Sequence, residues 1–263
     1  MSNVEGLLLI SLILFTLILC LKLYLKLKSE RECFIKTLSH DLRVSAIAQI
    51  RGLEVLQKNL SPKSFESELI SNINDSCKFS LDMISTLLNT FKYENKEKFL
   101  NYTSFNLNDI IKDTINQNLK FLEDKNIQIC INSNKVNNIN ADRQSIIKVI
   151  QILITTISAY AKNNTKVNIK IDSSAKELYC QFFYKGKSLS EEECRRMFSK
   201  SPKYSIVGQG IRMYLCKKII DFHNGKIEVL NYSDQINSFK IILPITGKTE
   251  ILNLDRIKNL SMF

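Results

Sequence analysis

The hydrophobic positions nearest the N-terminus form one unbroken run. Residues 7–25 read LLLISLILFTLILCLKLYL, and their one charged residue, Lys22, lies near the end. As a helix rising ~1.5 Å per residue, the run is about 28 Å long, close to the ~30 Å hydrocarbon core of a bilayer. Glu5 precedes the run, whereas Lys and Arg residues follow it. The positive-inside rule therefore predicts a single-pass anchor in the cytoplasmic (inner) membrane, with the C-terminal body in the cytoplasm.

Beyond this run, apolar positions recur every three or four residues over about 29–60 and again over 64–91, with Pro62 between them. This period predicts two helices joined by a tight turn, each with one apolar stripe. The stripe positions are Phe34, Leu38, Leu42, Ala46, Ile50 and Leu53 on the first helix, and Leu69, Ile73, Cys77, Leu81, Ile84, Leu88 and Phe91 on the second. A lone hairpin buries too little apolar surface to be stable. We therefore expect two hairpins to pair as a four-helix bundle, in a homodimer or a heterodimer.

The rest of the chain mixes helical and strand patterns after a polar stretch, residues 93–103, that is typical of a linker. Helical periodicity covers 108–123, 142–161 and 210–224. Alternating apolar positions predict strands over 127–131, 167–171, 178–183, 226–230 and 238–243. Helices and strands in this order predict an α+β protein whose C-terminal part is a two-layer α/β sandwich.

Charge and cysteine content add little to this organisation. Lys and Arg exceed Asp and Glu by 37 − 26 = +11 in 263 residues, which favours an anionic partner without choosing among nucleic acid, acidic lipid, acidic protein and nucleotide. The seven cysteines include no CxxC pair, and the chain has two histidines. This spacing predicts reduced thiols and no zinc or other metal cluster.

One of the two histidines, His40, carries the clearest candidate chemistry. On an ideal helix it points about 200° away from Leu38, and hence away from the apolar stripe. Asp41 follows it directly. Because a neighbouring carboxylate fixes the imidazole tautomer and raises its basicity, the pair predicts an exposed nucleophile that attacks a phosphoryl group.

The sequence around His40, FIKTLSHDLRVSAI, resembles the phosphoacceptor box of bacterial sensor histidine kinases, which is usually of the form SH[ED]LRTPL. Further segments resemble that family in the family's order: residues 138–162 its Asn box, 182–198 its first glycine box, 207–229 its second glycine box and the following helix and strand, and 238–245 its closing strand. His223 falls in the family's HxGxI pattern, where the expected role is packing. The resemblance covers about 30–245.

The resemblance implies a transmembrane helix, a dimerising hairpin and a Bergerat-type ATPase sandwich. The implied domains are 1–28 as the anchor with its basic juxtamembrane segment, 29–95 as the phosphoacceptor hairpin, 96–247 as the ATPase-like domain and 248–263 as a C-terminal tail. His40 would carry the phosphoryl group and Asp41 would assist as a base. The implied partners are the receiver domain of a response regulator and the membrane, and no nucleic acid.

The resemblance also implies which residues hold ATP and Mg²⁺, and several of them differ from the family pattern. Ile152 and Thr156 replace the two asparagines of the Asn box, and Tyr184 replaces the aspartate that accepts the adenine amino group. The implied cofactor-binding residues of this chain are Thr156, Gly186, Gly208, Gly210 and Arg212. The hydroxyl of Thr156 remains a candidate Mg²⁺ ligand. Loss of an adenine acceptor and a metal ligand predicts ATP use weakened by roughly 10³-fold or more.

Three functions remain open at this stage. The first is a histidine kinase that phosphorylates itself at His40 with ATP and Mg²⁺ and passes the group to an aspartate of a response regulator. The second is a histidine phosphotransferase or pseudokinase with a degenerate nucleotide pocket. The third is a non-catalytic scaffold or heterodimer partner.

Overall fold

The structure is a computed structural model, and it describes residues 3–58, 64–95, 99–133, 138–199, 209–232 and 235–246. The chain divides into two compact units, Met1–Leu88 and Asn89–Phe263. The first unit holds α1 (Asn3–Lys58) and most of α2 (Phe65–Glu94), whose last six residues belong to the second unit.

Helix α1 joins the predicted anchor and the predicted first hairpin helix without a break over 56 residues. Its N-terminal part is long and apolar enough to cross a membrane, and its apolar side chains are exposed, with Phe15 at 64%. Ser64 precedes α2, and its Oγ accepts a hydrogen bond from the Ser67 N–H at 3.1 Å, as an N-cap does. The predicted turn at 61–63 lies outside the described residues.

The second unit contains a five-stranded sheet and a separate two-stranded sheet. The large sheet has the order β2 (Gln128–Ser133), β4 (Lys166–Ser173), β5 (Glu177–Lys185), β7 (Ile236–Pro244) and β6 (Lys226–Asn231). Strand β2 is parallel to β4, and the other neighbours are antiparallel. The small sheet pairs β1 (Tyr102–Phe105) with β3 (Ile139–Asp142).

The helices of this unit are α3 (Leu107–Gln117), α4 (Leu119–Glu123), α5 (Arg143–Tyr160), α6 (Glu191–Arg196) and α7 (Gln209–Phe222). Alternate residues of β5, from Leu178 to Tyr184, are buried, as are Val149 and Leu153 of α5. Apolar burial on one face of a sheet and on one side of a helix produces the expected two-layer core. The α+β architecture predicted from the sequence is therefore confirmed.

Two local predictions were wrong, and one short helix was not predicted. The polar stretch 93–103 is not a plain linker, because Tyr93 lies buried at the end of α2 and Tyr102 begins β1. The predicted helix 108–123 is interrupted at Asn118, whose side-chain amide donates to the Thr114 carbonyl at 2.7 Å and ends α3. The short helix α6 was not expected, although Ser190 and Glu193 form a capping box at its start.

Candidate functional site

His40 lies on α1 with its imidazole in solvent. The side chains of His40 and Asp41 are 73% and 70% exposed, and Nδ1 of His40 is 3.2 Å from Oδ1 of Asp41. Since a carboxylate accepts hydrogen bonds, this contact favours the tautomer protonated on Nδ1, in which Nε2 keeps a free lone pair. The neighbouring Ser39 is buried, so the helix presents the pair outward as its phase predicts. This geometry leaves Nε2 accessible to an electrophile.

Thr156 lies on the inner side of α5. It has no exposed surface, and its hydroxyl donates to Sδ of Met213 on α7 at 3.6 Å. Ile152, one turn earlier, is also buried. The contact between α5 and α7 therefore holds the Thr156 hydroxyl inside the core. Its role as a Mg²⁺ ligand stays a prediction, and it would require this contact to open.

Tyr184 ends the buried row of β5. The residue is 2% exposed, and its ring stacks on Phe239 of β7 with a centroid distance of 5.7 Å and an interplanar angle of 15°. Burial raises the pKa of its phenol. A bulky aromatic group therefore fills the position for which the resemblance implies an adenine-accepting carboxylate.

Gly186 follows at the end of the same strand and is buried. A Cβ added here would lie 2.6 Å from the carbonyl oxygen of Tyr160 and 3.2 Å from Cε2 of Tyr184. The N–H of Gly186 donates to the Gln235 carbonyl at 2.9 Å. The missing side chain thus permits a close approach of protein atoms on that side of the strand.

The remaining predicted binding residues belong to the second glycine box. Gly210 and Arg212 lie in the first described turn of α7 and are half-buried. Gly208 lies outside the described residues. Over the described part of the chain, no group of three or more His, Cys, Asp or Glu side chains is arranged to hold a metal ion.

A buried polar network around His223 is the feature that sequence reasoning missed. Nδ1–H of His223 donates to the Ile219 carbonyl at 2.7 Å, and Nε2 accepts the N–H of Asp142 at 3.1 Å. The Asp142 carboxylate caps α5 by accepting from Ser145 N–H at 2.8 Å and accepts from Asn101 N–H at 2.8 Å. Burial lowers the pKa of His223. The HxGxI pattern indicated packing, and the structure adds two hydrogen bonds to it.

The end of α2 joins this network within the second unit. The hydroxyls of Tyr93 and Ser145 are 2.7 Å apart, and the Tyr93 ring meets Phe222 edge to face at 5.1 Å. Burial raises the pKa of Tyr93 to about 12. Tyr214 of α7 donates to Glu94 at 2.7 Å. These contacts attach the last turn of α2 to α5 and α7.

Comparison with known proteins assigns the class of this unit. Residues 141–247 match the family described as histidine kinase-, DNA gyrase B-, and HSP90-like ATPase. The sensor protein KdpD of Clostridium acetobutylicum is 24% identical over 232 residues, which cover 83% of this chain and 26% of that protein. The alginate biosynthesis sensor protein KinB of Pseudomonas aeruginosa is 21% identical over 82% of this chain and 37% of its own length. The chain thus spans well under half of these relatives.

Solved structures of histidine kinases are similar to this chain as well. The catalytic domain of the histidine kinase ThkA, in a nucleotide-free form, is 26% identical with a TM-score of 0.52, over 56% of this chain and 100% of that domain. ThkA in complex with the response regulator protein TrrA has the same fold over 81% of this chain and 61% of that chain, with 24% identity and a TM-score of 0.57. Residues 141–247 of this chain therefore match an ATPase domain family, and the relatives that the chain resembles are named sensor histidine kinases.

The family binds ATP, typically with Mg²⁺, but two of the positions implied for that ligand do not fit it. The expected adenine acceptor is the stacked, buried ring of Tyr184, and the expected metal ligand is a hydroxyl held against Met213. A carboxylate and an amide would each present exposed oxygens to the nucleotide and its metal. Neither position does so here.

Proposed function

We propose that this chain is a membrane-anchored phosphoryl carrier of a two-component system, with His40 as the phosphorylated residue. The observation that supports this most strongly is the exposed imidazole with Nδ1 hydrogen-bonded to Asp41 at 3.2 Å. The pair takes no part in core packing, and one ring nitrogen is ready to act as a nucleophile.

The proposed chemistry at His40 is in-line attack by Nε2 on phosphorus. The N–P bond forms while the P–O bond to the donor breaks, and the donor oxygen leaves with the bonding electron pair. The imidazole becomes cationic, and the Asp41 carboxylate stabilises that charge and takes up the Nδ1 proton. In the reverse sense, an aspartate oxygen of a receiver domain attacks phosphorus and Nε2 leaves.

The proposed partners follow from the first unit. Its N-terminal helix would anchor the chain in the cytoplasmic membrane, with His40 on the cytoplasmic side. Apolar side chains remain exposed on both helices: Leu38 at 45%, Leu42 at 47%, Leu69 at 49% and Ile73 at 44%. Apolar stripes of this kind are typical of surfaces that a partner covers. We propose that a second hairpin covers them, in a homodimer or a heterodimer, and that a response regulator docks beside His40.

The test is phosphorylation of the full chain in detergent micelles. The wild type, His40→Ala and the control Arg51→Ala, an exposed residue of α1 more than two turns away, are each incubated with a receiver domain charged by a small phosphodonor. We expect acid-labile, base-stable phosphate on the wild type and the control and none on His40→Ala. Label retained on His40→Ala would show that another residue is the acceptor, and the absence of label from all three would favour a scaffold.

A second candidate function is autophosphorylation at His40 with ATP. The match of residues 141–247 to an ATPase family favours it. It predicts label from γ-labelled ATP with no other protein present, and the same set of variants distinguishes it from the first proposal.

A further inference from the structure

We infer that Tyr184 occupies the purine position of its own ATPase-like domain, so that the domain binds no nucleotide and any phosphoryl group on His40 is supplied by a second protein. The first half of this inference stands on the second unit alone. The second half rests on the proposed function of His40.

The ring of Tyr184 extends the hydrophobic core into the ligand position. Leu178, Cys180 and Phe182 precede it in the buried row of β5, and all three are fully buried. Tyr184 continues the row, and its ring lies almost parallel to that of Phe239 at 5.7 Å. A purine in this position would have to displace a ring that is already stacked.

The phenolic oxygen of Tyr184 is unlike that of an ordinary core tyrosine. It is buried, and it has no hydrogen-bond partner among the residues that the structure describes. A buried hydroxyl without a partner is costly, and a phenylalanine would fill a purely apolar site without that cost. Core packing alone therefore does not account for a tyrosine rather than a phenylalanine at this position.

Gly186 shows that the adjacent space is also filled. An added Cβ would be 2.6 Å from a backbone oxygen of Tyr160 and 3.2 Å from the Tyr184 ring, so protein atoms already occupy that side of the strand. The groove of about 840 Å³ on this unit lies elsewhere, lined by Ser188, Ser190, Cys194, Val229 and Asn231 among others. Neither Tyr184 nor Thr156 lines this groove.

The metal position is closed independently of the ring. Thr156 is fully buried and bonded to Met213, and Ile152 is 3% exposed. Neither residue offers an oxygen to solvent. Two separate obstructions, one at the base position and one at the metal position, therefore oppose binding of ATP·Mg²⁺.

The test is calorimetry of the full chain in detergent with a non-hydrolysable ATP analogue and Mg²⁺. The variants are Tyr184→Asp, Thr156→Asn, the double change, and the control Tyr184→Phe, which keeps the ring and removes the hydroxyl. We expect no detectable binding by the wild type or the control, and measurable binding by the double variant, about tenfold or more tighter than the detection limit set with the wild type. Circular dichroism establishes that each variant is folded.

Several results would overturn the inference. Tight binding by the wild type would do so whatever the variants show. Equal binding by Tyr184→Phe and Tyr184→Asp would show that the ring is not the obstruction, and a folded double variant with no gain would show that the closure lies at other residues.

The source of the phosphoryl group is tested separately. With γ-labelled ATP alone we expect no label on His40. With a phosphorylated receiver domain, or with labelled ATP and a separate ATP-binding histidine kinase, we expect label. Label from ATP alone overturns the inference but leaves His40 as the acceptor. Absence of label from every donor refutes the proposed function, while the calorimetry still decides whether Tyr184 closes the pocket.

Discussion

Protonation of His223 is expected to loosen the second unit. In the structure Nε2 accepts the Asp142 N–H at 3.1 Å while Nδ1–H donates to Ile219 at 2.7 Å, so both ring nitrogens are used by the neutral tautomer. A second proton on Nε2 would face the N–H of Asp142, and neither donor would then have an acceptor. An unsatisfied buried polar group costs ~1–3 kcal/mol.

The sign of the pH dependence follows from the direction of the pKa shift. Burial lowers the pKa of His223, while its bond to Ile219 and the Asp142 carboxylate oppose that shift. The Tyr102 ring also faces His223, with 5.7 Å between the ring centroids, and burial raises the pKa of the Tyr102 phenol. Because the unfolded imidazole titrates near ~6.5, its contribution to stability is present above that pH and is lost as the pH falls toward the lower folded pKa.

The assay is hydrogen–deuterium exchange of peptides around residues 139–145, followed from about pH 7.5 to pH 5 with correction for the intrinsic exchange rate. Protection of the Asp142 and Ser145 amides should fall with acid in the wild type. In His223→Gln, where the amide oxygen accepts the same N–H without titrating, protection should be lower at neutral pH and independent of pH. His40→Gln is the matched control, because these are the two histidines of the chain. Identical pH profiles for the wild type and His223→Gln would refute the reasoning.

The other predictions concern a glycine and the exposed stripe. Gly186→Ala should destabilise the second unit by ~1–3 kcal/mol, because the added Cβ would clash with the Tyr160 carbonyl. Its Tm should fall by about 2–4 °C for each kcal/mol. Gly52→Ala is the control: an added Cβ there meets nothing within 4 Å, and the change should raise helix stability slightly. A double change of Leu42 and Leu69 to aspartate should abolish cross-linked dimers in membranes, because charge in an apolar seam opposes pairing. Undiminished cross-linking would place the interface elsewhere.

The long periodic segments of this chain could be predicted from the sequence because their structure depends on local spacing. Helices α2 and α5 end within three residues of the predicted limits, and the helical phase at His40 places its side chain in solvent. Strands β1 and β3 could not be predicted in the same way. Each has four residues, and each is stabilised by pairing with the other, from Tyr102 with Asp142 to Phe105 with Ile139.

The candidate site also combines features that the sequence reveals with features that depend on tertiary contacts. The replacement of a carboxylate by Tyr184 is visible in the sequence, but the position of its ring depends on Phe239, which belongs to a different strand. The predicted use of the Thr156 hydroxyl assumed that it would face a ligand. Its partner is Met213 of α7, and that contact depends on how two helices pack. Residue identity indicated which chemistry had been lost, and only the tertiary contacts showed what fills the space.

The two units differ in what their candidate residues do for the fold. His40 and Asp41 contact each other, stay in solvent and add little to stability, since an exposed pair of this kind contributes at most about 1 kcal/mol. Tyr184 and Thr156 lie wholly inside the second unit, where the ring and the hydroxyl take part in packing. A site kept for chemistry is expected to leave its reactive atoms accessible, as His40 does. A site whose residues have become part of a core is expected to resist opening. For that reason we propose that the phosphoryl chemistry of this chain occurs on α1 and that another protein supplies the phosphoryl group.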